Sequence, residues 1–129
     1  MSTGKSGVKG KGRFYKQNKV RGTAAEKWVV DYLLQRGHQI LFANLRTYFA
    51  EVDLLTISPE KEMTLWEVKL IHNLSDEKPL VSMEQRKRLL RAFAQISQAA
   101  NLKTRAHFAA VNQKQEITVF LDFLASENV

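Results

Sequence analysis

The chain has 129 residues, 44% of them apolar and 26% charged, a composition that suits one globular domain with one hydrophobic core. It holds no cysteine, which excludes disulfides, Cys-ligated zinc, iron–sulfur clusters and thiol catalysis, and which fits a reducing, cytoplasmic setting. No apolar run approaches the ~18–20 residues that cross a bilayer, so no membrane span is expected. The basic N-terminus is not followed by the apolar segment of a secretory signal.

The net charge is +7, and residues 1–21 account for all of it. They carry Lys5, Lys9, Lys11, Arg13, Lys16, Lys19 and Arg21 and no acidic residue. The rest of the chain has 13 basic and 13 acidic side chains. A Gly- and Lys-rich arm of this kind cannot bury a core and should be mobile in isolation. It reads either as a phosphate-seeking arm, each cation releasing counterions from nucleic acid, or as a solubilising tail. The first is the expectation. Val8, Phe14, Tyr15 and Val20 form no helical stripe, which speaks against a membrane surface.

The domain is expected over residues 22–124, with a short tail at 125–129. Thr23-Ala24-Ala25-Glu26 reads as a capping box, and Ala25, Trp28, Val29, Tyr32 and Leu33 follow at helical spacing until Gly37. Strands are predicted at about Gln39–Leu45, Glu51–Ile57 and Met63–Leu70. Ser58-Pro59-Glu60-Lys61 turns the last two into an antiparallel hairpin. His72 to Leu80 is polar, contains Pro79 and reads as a loop. Ser82-Met83-Glu84-Gln85 is a second candidate capping box. Behind it a helix to about Ala100 would place Leu89, Phe93, Ile96 and Ala100 on one face and Lys87, Arg88 and Arg91 on the other. Strands near Ala106–Asn112 and Glu116–Leu121 close the domain, with Gln113-Lys114 turning between them. The order α-β-β-β-α-β-β defines an α/β domain with a central mixed sheet flanked by helices.

Side-chain alternation assigns faces on the hairpin. Glu51, Asp53 and Leu55 share one face of their strand, and Val52, Leu54 and Thr56 the other. On the next strand Leu65, Glu67 and Lys69 share a face, while Trp66, Val68 and Leu70 form an apolar face expected to meet the core. Charges in the middle of short hydrophobic strands are costly unless they pair or bind an ion. Two carboxylates can hold Mg²⁺, a hard cation that retains several waters. Such an ion acidifies a bound water and polarises a phosphoryl oxygen. A lysine two residues beyond one carboxylate lies on the same side, where it can orient the water or offset phosphate charge. The competing reading is an ordinary solvated face, with Glu67 and Lys69 in a cross-strand charge pattern.

The ordered set Glu26, Glu51-Val52-Asp53-Leu54-Leu55 and Trp66-Glu67-Val68-Lys69 resembles the PD-(D/E)xK nuclease superfamily. More closely it resembles the YraN-like bacterial family, related in sequence to archaeal Holliday junction resolvases. The resemblance runs from about Arg21 to Leu124 and includes Gly22, Gly37 and Asn44. It implies a restriction-endonuclease-like fold and a divalent-metal-dependent endonuclease, using Mg²⁺ or Mn²⁺ to hydrolyse phosphodiester bonds in DNA, in branched or single-stranded regions. Asp53 and Glu67 would be metal ligands together with the Val68 carbonyl. Lys69 would position or activate the water, and Glu26 would support the site from the first helix. A related resolvase works as a dimer because a junction presents two symmetric strands, so a homodimer is an implied state.

The chain departs from the family pattern at three positions. Ala50 stands where the family has Gly before its Glu-x-Asp, Gln85 stands where it often has Lys, and His107 stands where it has Asp. Gln85 can still hydrogen-bond a water or a phosphate but brings no charge. Glu26 and Gln85 each have a competing role in a helix cap, and Glu51 reads equally as a carboxylate supporting the site from behind its ligands or as a strand-edge charge. Arg86, Lys87, Arg88 and Arg91 read as contacts to a phosphate backbone or as a solvated helix face. His38 is expected to be solvated, His72 to lie in a loop within reach of a phosphate, and His107 to be packed. Trp28 and Trp66 belong to apolar stripes and to the core. No side chain promises base readout, so recognition by shape is expected. The alternative function is a non-catalytic nucleic-acid-binding module on the same fold.

Overall fold

In a computed structural model, residues 23–72 and 81–125 are described. The basic arm and the predicted His72–Leu80 loop, except for His72 itself, lie outside the described residues. The elements run α1 (Ala24–Gln35), β1 (Gln39–Arg46), β2 (Glu51–Ile57), β3 (Met63–Leu70), α2 (Met83–Ala99), β4 (Thr104–Val111) and β5 (Ile117–Phe120). The five strands form one sheet in the order β1-β2-β3-β4-β5. Its pairings are antiparallel except for β3 with β4, which are parallel. That parallel pair requires a long crossover, and the crossover contains α2. The mixed α/β sheet and the element order match the sequence expectation.

Local chemistry sets the element ends. Thr23 caps α1 with both halves of the box present: its hydroxyl accepts from the Glu26 N–H at 3.1 Å, and the Glu26 carboxylate accepts from the Thr23 N–H at 3.3 Å. Gly37 follows the helix at φ +87°, and a Cβ there would meet the Pro59 ring at 3.2 Å. Pro59 sits in the β2–β3 turn, which the Lys61 N–H closes onto the Ser58 carbonyl at 2.8 Å. Glycine thus satisfies both the left-handed backbone and the close packing of two turns.

Both sheet faces are covered, as a sheet flanked by helices requires, and the competing reading of a solvated hairpin face does not hold. On one side Ala25, Val29 and Leu33 of α1 pack on Leu54, Trp66, Val68, Ala109 and Val111. On the other Leu89 and Ala92 of α2 pack on Val52, Leu55, Leu65 and Ala106. The near-continuous apolar runs of β2 and β4 are those of strands buried on both faces. Leu70, expected in the core, is instead 52% exposed, although its partner Val111 on β4 is buried.

The alternation on β2 also breaks at one position. Val52 belongs to the α2-side cluster and Leu54 to the α1-side cluster, although they are two residues apart. The same slip occurs on β1 between Ala43 and Leu45. These pairs face each other in register, Ala43 with Leu54 and Leu45 with Val52, bracketing Asn44 and Asp53. Asn44 has φ +54°, a left-handed conformation that Asn tolerates better than most residues. The two strands therefore turn over together at Asn44 and Asp53, beside the residues that the sequence nominated.

Candidate active site

The β2–β3 ladder ends at the Leu54–Trp66 pair. Beyond it the Asp53 side chain takes over the strand contact, its Oδ2 accepting from the Val68 backbone N–H at 2.8 Å. This bond fixes the carboxylate and satisfies a donor that the ladder no longer pairs. β3 stays paired with β4 along its whole length, so Glu67 and Lys69 sit on a rigid strand. The parting of β2 from β3 opens a cavity of about 570 Å³. Its lining includes Thr23, Glu26, Asp53, Glu67, Lys69, Gln85 and Arg88. The first turns of both helices reach it, and helix N-termini favour anions.

Four of the sequence-nominated carboxylates, Glu26, Glu51, Asp53 and Glu67, line this cavity. Glu67 is only 3% exposed, and its Oε2 accepts from the Gln85 Nε2 at 2.9 Å. Its Oε1 is buried with no hydrogen-bond partner. Burial raises the Asp53 pKa from 3.8 to about 8, helped by the Glu67 charge and opposed by the Val68 N–H. Burial also raises Glu67, while the nearby Lys69 ammonium is the largest influence pulling it down. Burial and mutual repulsion thus disfavour the state in which both members are ionised. Glu26 has one carboxylate oxygen engaged in structural bonds. Its Oε1 serves the Thr23 cap and accepts from the Asn44 Nδ2 at 3.2 Å.

Gln85 distinguishes between its two predicted roles. Ser82 caps α2 by accepting from the Gln85 backbone N–H at 3.1 Å. The Gln85 side chain does not return to the cap but reaches Glu67, so only half of the predicted box forms. Removing the amide, as in Gln85→Ala, would free Glu67 to rotate, and losses of 10- to 100-fold in metal affinity or activity are typical of such supporting bonds. Titration of Mn²⁺ into Gln85→Ala is expected to show a weakening of about that size. An unchanged affinity would reduce Gln85 to a surface residue.

The other nominated residues are distributed as follows. Glu51 and Val68 line the cavity. Lys87, Arg88 and Arg91 are exposed on α2, whereas the Arg86 guanidinium donates to the Phe123 carbonyl. Lys11, Arg13, Lys16, Lys19 and Arg21 lie outside the described residues. His38, expected to be solvated, is half-buried: its Nδ1 lies 3.3 Å from the Thr56 hydroxyl, its ring packs edge-on against Trp66, and burial lowers its pKa. His107 is packed as expected, accepting from the Asp122 N–H at 3.0 Å. His72 is exposed near Gln113. Asn44 was visible in the sequence as part of the resemblance. Its part in holding Glu26 was not, because that depends on a left-handed residue within a strand.

Among the described residues no helix is long and apolar enough to cross a membrane. Nor do three or more His, Cys, Asp or Glu side chains there converge as a ready-made metal cage. Any ion would rest on two carboxylates, backbone oxygen and water.

Fold and site together define a single α/β domain with a buried carboxylate pair, a lysine and a supporting amide at the parting of two central strands. Residues 25–116 match the model of the uncharacterised protein family UPF0102, and the chain belongs to that family. It is the YraN-like family that the sequence resembles. The chain is also 36% identical over 75 residues to a UPF0102 protein of Clostridioides difficile strain 630, a match covering 57% of this chain and 65% of that relative. The match therefore spans just under two thirds of the relative's length.

Proposed function

We propose that the domain is a divalent-metal-dependent endonuclease of the PD-(D/E)xK type, hydrolysing phosphodiester bonds in DNA. The observation that carries the proposal is the buried Glu67 carboxylate, whose Oε1 meets no N–H donor, beside a second carboxylate that ionises only with difficulty. A buried acid pair of this kind is costly and persists where a function requires it.

The donor set suits a hard cation. Asp53 and Glu67 would hold Mg²⁺ or Mn²⁺, with the Val68 carbonyl and waters completing the shell. Mg²⁺ commonly takes only one or two protein carboxylates and keeps its waters, so two acids suffice. The ion, when bound, supplies Lewis-acid polarisation and an acidified water. The chain's own groups do the rest. The Val68 N–H fixes the Asp53 carboxylate, and Gln85 fixes that of Glu67. Lys69 projects from the face that carries Glu67 and would stabilise charge on the attacked phosphate or orient the water. Glu26, on the α1 side, adds negative charge that favours cation binding. Arg88, and the exposed Lys87 and Arg91 of the same helix, would contact flanking phosphates.

The test is cleavage of plasmid and branched oligonucleotide DNA by the full chain in Mg²⁺ or Mn²⁺. Products that disappear in EDTA and in variants of Asp53 and Glu67 would support the proposal. Salt-sensitive DNA binding with no metal-dependent products would instead leave a binding module on the same fold, a reading favoured by the neutral Gln85 in place of lysine.

A further inference from the structure

The turn between β1 and β2 carries a feature that the catalytic reading does not use. Tyr48 stands at its tip with 89% of its surface exposed. Its base is nevertheless rigid. The Thr47 hydroxyl donates to the Ala50 carbonyl at 2.6 Å and lies 3.2 Å and 3.0 Å from the N–H groups of Phe49 and Ala50, which donate to it. The Thr47 N–H also donates to the Ala50 carbonyl, at 2.9 Å. The Tyr48 ring rests edge-on against Phe49, centroids 5.1 Å apart. Phe49 also receives the Arg91 guanidinium, 5.9 Å from its centroid. The next two residues, Ala50 and Glu51, line the cavity that holds Asp53 and Glu67.

A solvent-facing aromatic on a hydrogen-bonded turn, an arginine from a neighbouring helix and the entry of the turn into the cavity thus lie close together. We infer that Tyr48 is a stacking platform for an unpaired base of the DNA strand that enters the site. The inference rests on the nuclease reading and adds to it a substrate class, DNA with an unpaired nucleotide beside the cut. A base presents a flat π-face that any aromatic ring can stack on, and the sugar-phosphate on either side of it presents the charge that Arg88 and Arg91 complement. A paired duplex has no free face to offer. What favours a nucleic acid here is the position of the turn, which leads directly into the cavity that holds Asp53 and Glu67.

The experiment uses the full chain, in Ca²⁺ to hold back cleavage, with two oligonucleotides of equal length. One is a forked duplex with 2-aminopurine at its first unpaired position, and the other is fully paired. The wild type and Tyr48→Phe are expected to quench the probe and bind the fork alike. Tyr48→Ala is expected to lose the quenching and about 5- to 150-fold in fork affinity, the range for one stacked base, with less than about twofold change on the paired duplex. Quenching and fork affinity unchanged in Tyr48→Ala, or equal losses on both substrates, would overturn the inference. Either result would leave the nuclease reading intact if Mg²⁺ cleavage of the same substrates persists. A wild type that binds and cuts neither DNA would overturn both.

Discussion

Glu67→Gln lowers metal-dependent DNA cleavage by about a thousandfold or more while the domain stays folded. One preorganised charge-stabilising group is already worth about 10²–10³ in rate, and here the change removes one of two carboxylates that would hold the ion itself. The fold should survive because glutamine keeps the shape and can still accept from Gln85, while the buried charge disappears. Asp53→Asn is expected to behave in the same way, since its amide oxygen can still accept from the Val68 N–H. Initial cleavage rates, with circular dichroism to confirm folding, check both variants. Cleavage equal to wild type in both would point to a contaminating nuclease and remove the basis for the site.

The second large effect concerns stability and pH. In the unfolded chain Asp53 ionises near its ordinary value of 3.8, whereas in the folded chain burial and the Glu67 charge hold its proton up to about 8. Between those values the folded state binds the proton and the unfolded state does not. The stability contributed by that proton is therefore fully present below pH 3.8, and it is lost progressively as pH rises toward 8. The slope for one proton is about 1.4 kcal/mol per pH unit. Metal-free protein in EDTA should melt at a distinctly lower temperature at pH 8 than at pH 5.5, and Asp53→Asn should flatten that difference. Mg²⁺ or Mn²⁺ should restore more stability at pH 8 than at pH 5.5, because the ligands must lose their proton to bind. Parallel melting curves for wild type and Asp53→Asn across this range would show that the pair carries no such proton.

Much of this arrangement is legible in the sequence because it is local. Thr23 and Glu26 are three residues apart and form the box that their spacing announces. Alternation correctly put Glu67 and Lys69 together, because β3 is regular and paired along its length with β4. The hairpin turn follows from Ser58-Pro59-Glu60-Lys61. What was not legible depends on contacts between distant segments. Asp53 lies where the buried face of two paired strands changes over, next to a left-handed Asn44 on the neighbouring strand, so period-two counting fails there. The Gln85 side chain chooses between its own helix cap and a carboxylate 18 residues away, and only packing decides it. The burial of both faces depends on α1 and α2 arriving from opposite sides, which hairpin alternation alone does not encode. His38 is drawn in by Trp66 and Thr56 rather than by anything adjacent in the chain.

The family relationship gives the domain a place among related chains without giving it a chemistry, and the chemistry proposed here depends on one pair of oxygens. A crystal grown or soaked with Mn²⁺ and examined by anomalous scattering tests that most directly. A single manganese peak between the Asp53 and Glu67 carboxylates, with the Val68 carbonyl in its shell, is the predicted result. A site with no peak at saturating Mn²⁺, at a pH where both carboxylates are ionised, would contradict it.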